Sequence, residues 1–137
     1  MKAYEELDAW KVCHELTLGV YEATKPMLDP EPDIAHQLRL AALLAAGKLA
    51  RGVGTGNRVM FRECAGMSAG HLSEVSYYLN ITHVMGLVSD ATHQRLDALR
   101  GRALFYLWKH LCPPAPPRKV EPPKADDDDV NVGQGNC

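Results

Sequence analysis

Four cations flank a glycine-rich stretch near the middle of this chain: Lys48 and Arg51 precede Gly52-Val53-Gly54-Thr55-Gly56, and Arg58 and Arg62 follow it. Within each pair the spacing is one helical turn, so two flanking helices would carry each pair on one face. Cations at a helix C-terminus complement its partial negative charge by about 0.3–1 kcal/mol, which gives Lys48 and Arg51 an ordinary structural role. Arg58 and Arg62 fall where the next helix begins, and a helix start already carries partial positive charge. Cations there are unfavourable until an anion visits, and a phosphate would satisfy both the free amides and the guanidinium groups. Lys48, Arg51, Arg58 and Arg62 are therefore the candidate contacts to an RNA or DNA backbone. Surface or intersubunit salt bridges are the alternative use of the same residues.

Other chemistry is weaker. Six histidines raise the question of a di-metal bundle, which uses Glu-x-x-His, but His71 and Glu74 stand in the reverse order. Asp33-x-x-His36 and Asp90-x-x-His93 fall at helix starts, where the acid serves as a cap or dipole partner. No nucleophile stands at a recognisable spacing from a base, so no catalytic residue, metal or cofactor is expected. Cys13, Cys64, Cys112 and Cys137 form no C-x-x-C pair; reduced thiols are expected, with Cys13 and Cys64 as small core residues. Phe105, Tyr106 and Trp108 point in different directions on a helix, which favours packing over a base-stacking platform.

Four periodic segments must position these residues. The first runs from about Leu7 to Met27, with Ala9, Cys13, Leu16, Val20, Ala23 and Met27 on one face and Pro26 near its end. After the stiff Asp29-Pro30-Glu31-Pro32 connection, Asp33 is expected to cap a second helix through Ile34, Leu38, Ala42, Ala45 and Leu49, ending near Gly52. Asn57 caps a third, whose face runs through Phe61, Ala65, Ser68, Leu72, Val75, Leu79 and Thr82 to Gly86. Ser89 caps a fourth, presenting Leu96, Leu99, Ala103, Tyr106 and His110. The small residues at 65 and 68 allow close helix approach. Short loops between long amphipathic helices imply an all-α, antiparallel up-down four-helix bundle over residues 1–112.

Two runs are more apolar than one core-facing stripe requires, Leu40 to Ala46 and Ala103 to Trp108. They predict a second buried face formed by self-association, with Leu40, Leu44, Leu104, Phe105 and Trp108 at the interface. The 137 residues carry a net charge of −2. Residues 1–112 hold 12 Lys+Arg and 12 Asp+Glu, so the excess sits in 113–137, a proline-rich segment ending in the Asp126 to Asp129 run. That segment has too little apolar surface to offset its ordering entropy and is expected to be a disordered acidic tail, a possible competitor for the cationic loop. No run approaches the ~18 apolar residues of a membrane span, and Glu5 and Glu6 stand where a signal peptide would be apolar. A cytoplasmic protein without membrane contact is expected.

The ordered pieces Tyr4-x-x-Leu7-x-Ala9-Trp10, Gln37-Leu38-Arg39-x-Ala41-Ala42, Gly52-x-Gly54, Phe61, Gly70-x-Leu72-x-Glu74 and Gly86-Leu87 resemble the 23S rRNA intervening-sequence proteins over roughly residues 4–111. The fit is ungapped from Gln37 to Glu74. The chain diverges at Leu40 and Leu44, where the family usually has Arg and Ser, and at Ala46 and Lys48, where it has Pro and Asn. Arg51 replaces a glutamate, Thr55-Gly56 replaces a basic pair, and Met60 replaces the acidic half of a capping box. The resemblance implies a non-enzymatic bacterial bundle that assembles as a ring-shaped homopentamer. A related bundle is the accessory protein of diversity-generating retroelements, which binds a reverse transcriptase and nucleic acid. Three roles are thereby implied: a nucleic-acid-associated adaptor, a reverse-transcriptase accessory subunit, or a purely structural assembly.

Overall fold

The computed structural model describes residues 2–112 together with Pro117, Lys119, Val120 and Pro122. The expectation for the remainder of 113–137 lies outside the described residues. A 3₁₀ turn at Ala3–Glu6 leads into helix α1, Asp8–Thr24, and a second at Lys25–Met27 follows it; α2 is Pro32–Gly54, α3 Arg58–Val84 and α4 Asp90–Leu111. Each helix packs against the next and α4 returns to α1, with no close backbone approach along either diagonal among the described residues. With such short connections, this order is an antiparallel up-down four-helix bundle. Among the described residues no helix is long and apolar enough to cross a membrane.

Local chemistry explains most helix ends. Asn57 Oδ1 accepts from the amides of Val59 at 2.9 Å and Met60 at 3.2 Å, and Ser89 Oγ accepts from Thr92 at 3.1 Å. Gly86 closes α3 at φ 73°, with its amide on His83 O at 3.0 Å and that of Leu87 on Thr82 O at 2.9 Å. This double closure needs a left-handed residue, which glycine supplies without steric cost. Two expected ends differ. Asp33 is not the cap of α2: the cap position is Glu31, Pro32 is the first helical residue, and Asp33 sits in the first turn. Proline suits that first position because its missing N–H would be unpaired there anyway, and Asp33 still favours the helix dipole. The first helix also stops at Thr24 rather than Met27, tightening to 3₁₀ at Lys25–Met27 with Pro26 inside that turn.

The interior is built from small residues where helices come closest. Ala41, Ala42, Ala45 and Ala46 of α2 are buried, as are Ala65 and Ser68 of α3. A Cβ at Gly52 would stand 2.9 Å from Cys64 Cβ and 3.2 Å from Phe61 Cα, so only glycine lets the end of α2 lie against the start of α3. Buried hydroxyls are satisfied by helix carbonyls, two of them across a helix seam: Ser68 Oγ donates to Ala45 O at 2.7 Å, and Thr17 Oγ1 lies 2.8 Å from Cys13 O of its own helix and 3.1 Å from Ala42 O of α2. Arg39 ties α2 to α1, donating to Thr24 Oγ1 at 2.7 Å and Tyr21 O at 3.0 Å with its guanidinium over the Tyr21 ring. Among the described residues no buried side-chain nitrogen or oxygen lacks a partner. A second small cluster, Met27, Ala35 and Val88, seals one end.

Cys13 and Cys64 are free, buried thiols as expected. Burial pushes the Cys13 thiol up to about 12, against the opposing effect of its Ser68 hydrogen bond. Cys112 is disulfide-bonded instead of reduced; sequence spacing alone does not report which cysteines a fold brings together.

Gly52→Ala is expected to destabilise the bundle by about 1–3 kcal/mol through overpacking. Gly47 is helical with open space at its Cβ position, so Gly47→Ala should instead stabilise by about 0.5–1 kcal/mol. Urea unfolding of both variants checks the contrast.

Candidate functional site

One end of the bundle gathers the opening 3₁₀ turn, the α2–α3 turn and the last turn of α4. An open groove of about 340 Å³ there is lined by Arg58, Val59, Phe61 and Arg62 of α3 and by Lys109 and His110 of α4. Among the described residues no carboxylate lines it. Beside it lies a larger, mostly apolar pocket of about 420 Å³, walled by Leu7, Val53 and Phe61, with Gly52 and Gly56 at its surface and Glu6 at its rim. Arg58, Phe61 and His110 border both spaces, and the Phe61 and His110 rings meet edge to face with centroids 5.1 Å apart.

The basic residues of the groove other than Arg58 have local reasons for their positions. Arg62 Nη2 donates to Leu111 O at 3.1 Å, so Arg62 caps the α4 C-terminus across the bundle end. Its place in the first turns of α3 thus has a structural partner that spacing along one helix did not reveal. Lys109 and His110 lie in the last turn of α4, where the Lys109 charge complements the helix dipole. Lys109 Nζ also sits 5.7 Å and 5.5 Å from the Phe105 and Tyr106 ring centroids. Arg58 is exposed and makes no hydrogen bond or ion pair among the described residues.

The structure brings Arg58 and Arg62 together in this groove and adds Lys109 and His110. It does not bring in Lys48 or Arg51: Lys48 is half-buried, Arg51 is exposed, and neither lines the groove. Lys109 was invisible as a partner of Arg58 and Arg62 in the sequence; its only signal was a basic last turn ending the final helix.

A comparison with family models matches residues 5–102 to the 23S rRNA-intervening sequence protein family. The chain belongs to that family. No individual curated protein matches it. The span shared with the 23S rRNA-intervening sequence proteins takes in α1, α2, α3 and α4 as far as Arg102, short of the expected limit near 111. Arg58 and Arg62 thus lie within the family span, whereas Lys109 and His110 lie beyond it.

Elsewhere on this family member, the residues expected at an oligomer interface divide. Leu40, Phe105 and Trp108 are 49%, 65% and 51% exposed, joined by Leu43 at 45%. Leu44 and Leu104 are half-buried, and Leu104 packs against the core. At the far end of the bundle, His83 and His93 stack with ring centroids 4.3 Å apart, while His93 Nε2 meets Asn80 Oδ1 at 3.1 Å. The hydrogen bond from His83, and then its charge, hold the Asp90 carboxyl below its ordinary value. His71 Nδ1 and Glu74 Oε1 pair at 2.9 Å. Among the described residues no group of three His, Cys, Asp or Glu side chains stands together as a metal site.

Arg62→Ala is expected to lower stability by about 0.5–1.5 kcal/mol through loss of the Leu111 hydrogen bond. Arg58→Ala should stay within about 0.5 kcal/mol of the parent. Chemical denaturation midpoints of the two variants separate the structural arginine from the uncommitted one.

Proposed function

We propose that the protein is a non-catalytic, self-associating adaptor that holds nucleic-acid backbones at the cationic end of its bundle, in the cytoplasm. The observation that carries this reading is the convergence of Arg58, Arg62, Lys109 and His110 from two helices on one groove with no lining carboxylate among the described residues. Guanidinium forks suit phosphate oxygens, and Arg62 keeps further donors beyond the one engaged by Leu111.

Self-association is supported by two of the exposed apolar groups, while others, such as Leu18, Met67 and Tyr77, lie on α1 and α3. Leu40 and Leu43 lie on α2, Phe105 and Trp108 on α4, and these two helices are diagonal in the bundle. A contact from the α2 patch of one protomer to the α4 patch of the next is heterologous, and such contacts repeat around a ring when the rotation closes. The homopentamer implied by the family resemblance is a ring of that kind. Repetition of the groove converts a few charges into a multivalent surface. The Asp126 to Asp129 run follows Leu111 in the sequence, and Leu111 O accepts from Arg62 of the groove, which supports reading that run as a competitor.

Mass measurement in solution should give a closed oligomer, and Leu40→Glu or Trp108→Glu should reduce it to smaller species. Titration with RNA and DNA should show little sequence preference and a salt dependence whose log–log slope steepens by about 0.7–0.9 per phosphate contacted. Arg58→Ala/Arg62→Ala should weaken binding, and truncation after Cys112 should strengthen it. Absence of binding to either nucleic acid at low salt by every form would leave a protein-only scaffold as the surviving reading.

A further inference from the structure

The cationic groove and the apolar pocket share a wall, and that arrangement asks for more than a polyanion. A surface that only gathers phosphates has no use for a recess of about 420 Å³ lined mainly by carbon. Such a volume is within the range of small-molecule sites, which are mostly apolar with a few placed polar groups. Phe61 stands between the two spaces, half-buried, with Arg58 and His110 also bordering both. A ligand that fits both must carry a flat apolar body joined to an anionic group across one aromatic ring's width. A nucleotide unit has that form.

We infer that the pocket and groove together form a site for one unstacked nucleotide of a single-stranded RNA or DNA: the base enters beside Phe61, and its flanking phosphates lie along Arg58, Arg62 and Lys109. The inference rests on the adaptor reading above and narrows its substrate class. Two features support the assignment. Gly56 presents backbone without a side chain at the pocket surface, with nothing within 4 Å of its Cβ position, which leaves space for a planar ring to approach closely. The charges are placed unevenly: Arg62 and Lys109 line the groove alone, Arg58 borders both spaces, and Glu6, the one carboxylate among the described residues lining either space, lies on the pocket side, where it can accept from a base N–H instead of repelling a phosphate. A duplex cannot use the pocket, because its bases are paired and stacked; strands, loops and frayed ends can.

The test uses the full-length protein and three labelled probes read by fluorescence anisotropy: a short single strand, the duplex of the same sequence, and an abasic strand with the same phosphates. The parent should bind the base-bearing strand about tenfold or more tightly than the abasic one, the equivalent of one stacked base. Phe61→Leu keeps apolar volume without a π face, so the fold is retained while that preference falls to near unity. Arg58→Ala should weaken all probes alike and lower the salt slope by about 0.7 on single strands. Because Phe61 packs beside Gly52, Val53→Glu serves as a second variant that blocks the pocket from its half-buried wall on α2, and it should erase the same preference. Equal binding of base-bearing and abasic strands by the parent, or a preference that survives both Phe61→Leu and Val53→Glu, overturns the nucleotide site while leaving polyanion binding intact. Failure of all strands to bind at low salt is the separate failure of the adaptor reading. Displacement of a bound strand by a peptide ending in leucine, with no loss of its affinity in Arg58→Ala, would assign the pocket to a protein segment and overturn the inference as well.

Discussion

The close seam between α2 and α3 governs the rest of this bundle. Its narrowness comes from alanines and Ser68 along the facing stripes and from Gly52 at the end, where any Cβ would collide with Cys64 and with the Phe61 backbone. Helices held this tightly leave no slack in the three-residue turn between them, so the start of α3 is pinned against the end of α2. Phe61 and Arg58 are then delivered to the bundle end at fixed positions. α4, packed against both α3 and α1, brings Lys109 and His110 to the same place. The groove is a by-product of helix length and seam geometry more than of any local motif.

The polar groups inside the bundle reinforce that geometry. A buried hydroxyl left unpaired would cost about 1–3 kcal/mol, and here Ser68 and Thr17 reach carbonyls of α2 that already serve its helical ladder. Carbonyl oxygens have a second lone pair, so the extra bond leaves the helix intact and adds a distance constraint between neighbours. Arg39 does the same between α2 and α1 with Thr24 and the Tyr21 carbonyl. Close approach and polar satisfaction thus favour the same arrangement, a mark of a sequence with little local conflict.

Most of the fold was legible in the residue order because it is written in periods of three and four. Leu16, Leu38, Leu72 and Leu96 and most residues in phase with them are buried, although Phe61, Tyr106 and His110 are only half-buried and Leu107 takes the core position expected of Tyr106; Asn57 and Ser89 cap as their side chains demand. Asp33 misled because an acid near a helix start serves the dipole equally well one or two positions inside, and Pro32 took the first position. The site was only half legible. Arg58 and Arg62 share a helix and could be paired by spacing, but their companions on α4 arrive through tertiary packing, with Arg62 and Leu111 49 positions apart. Lys48 and Arg51 were drawn in by proximity in sequence to the turn, yet the rotation of α2 that buries Leu49 and Gly52 carries them away from the groove.

Were the groove to take an anion as proposed, the Arg62–Leu111 hydrogen bond would join two equilibria that are otherwise independent: occupancy of the groove and fraying of the final turn of α4. An anion that recruits the same guanidinium hydrogen competes with a helix carbonyl, so its binding loosens that turn. Linkage is reciprocal, and whatever clamps the end of α4 must lower the anion's affinity by the same factor. The far end of the last helix is thereby a thermodynamic handle on a groove that it only partly lines.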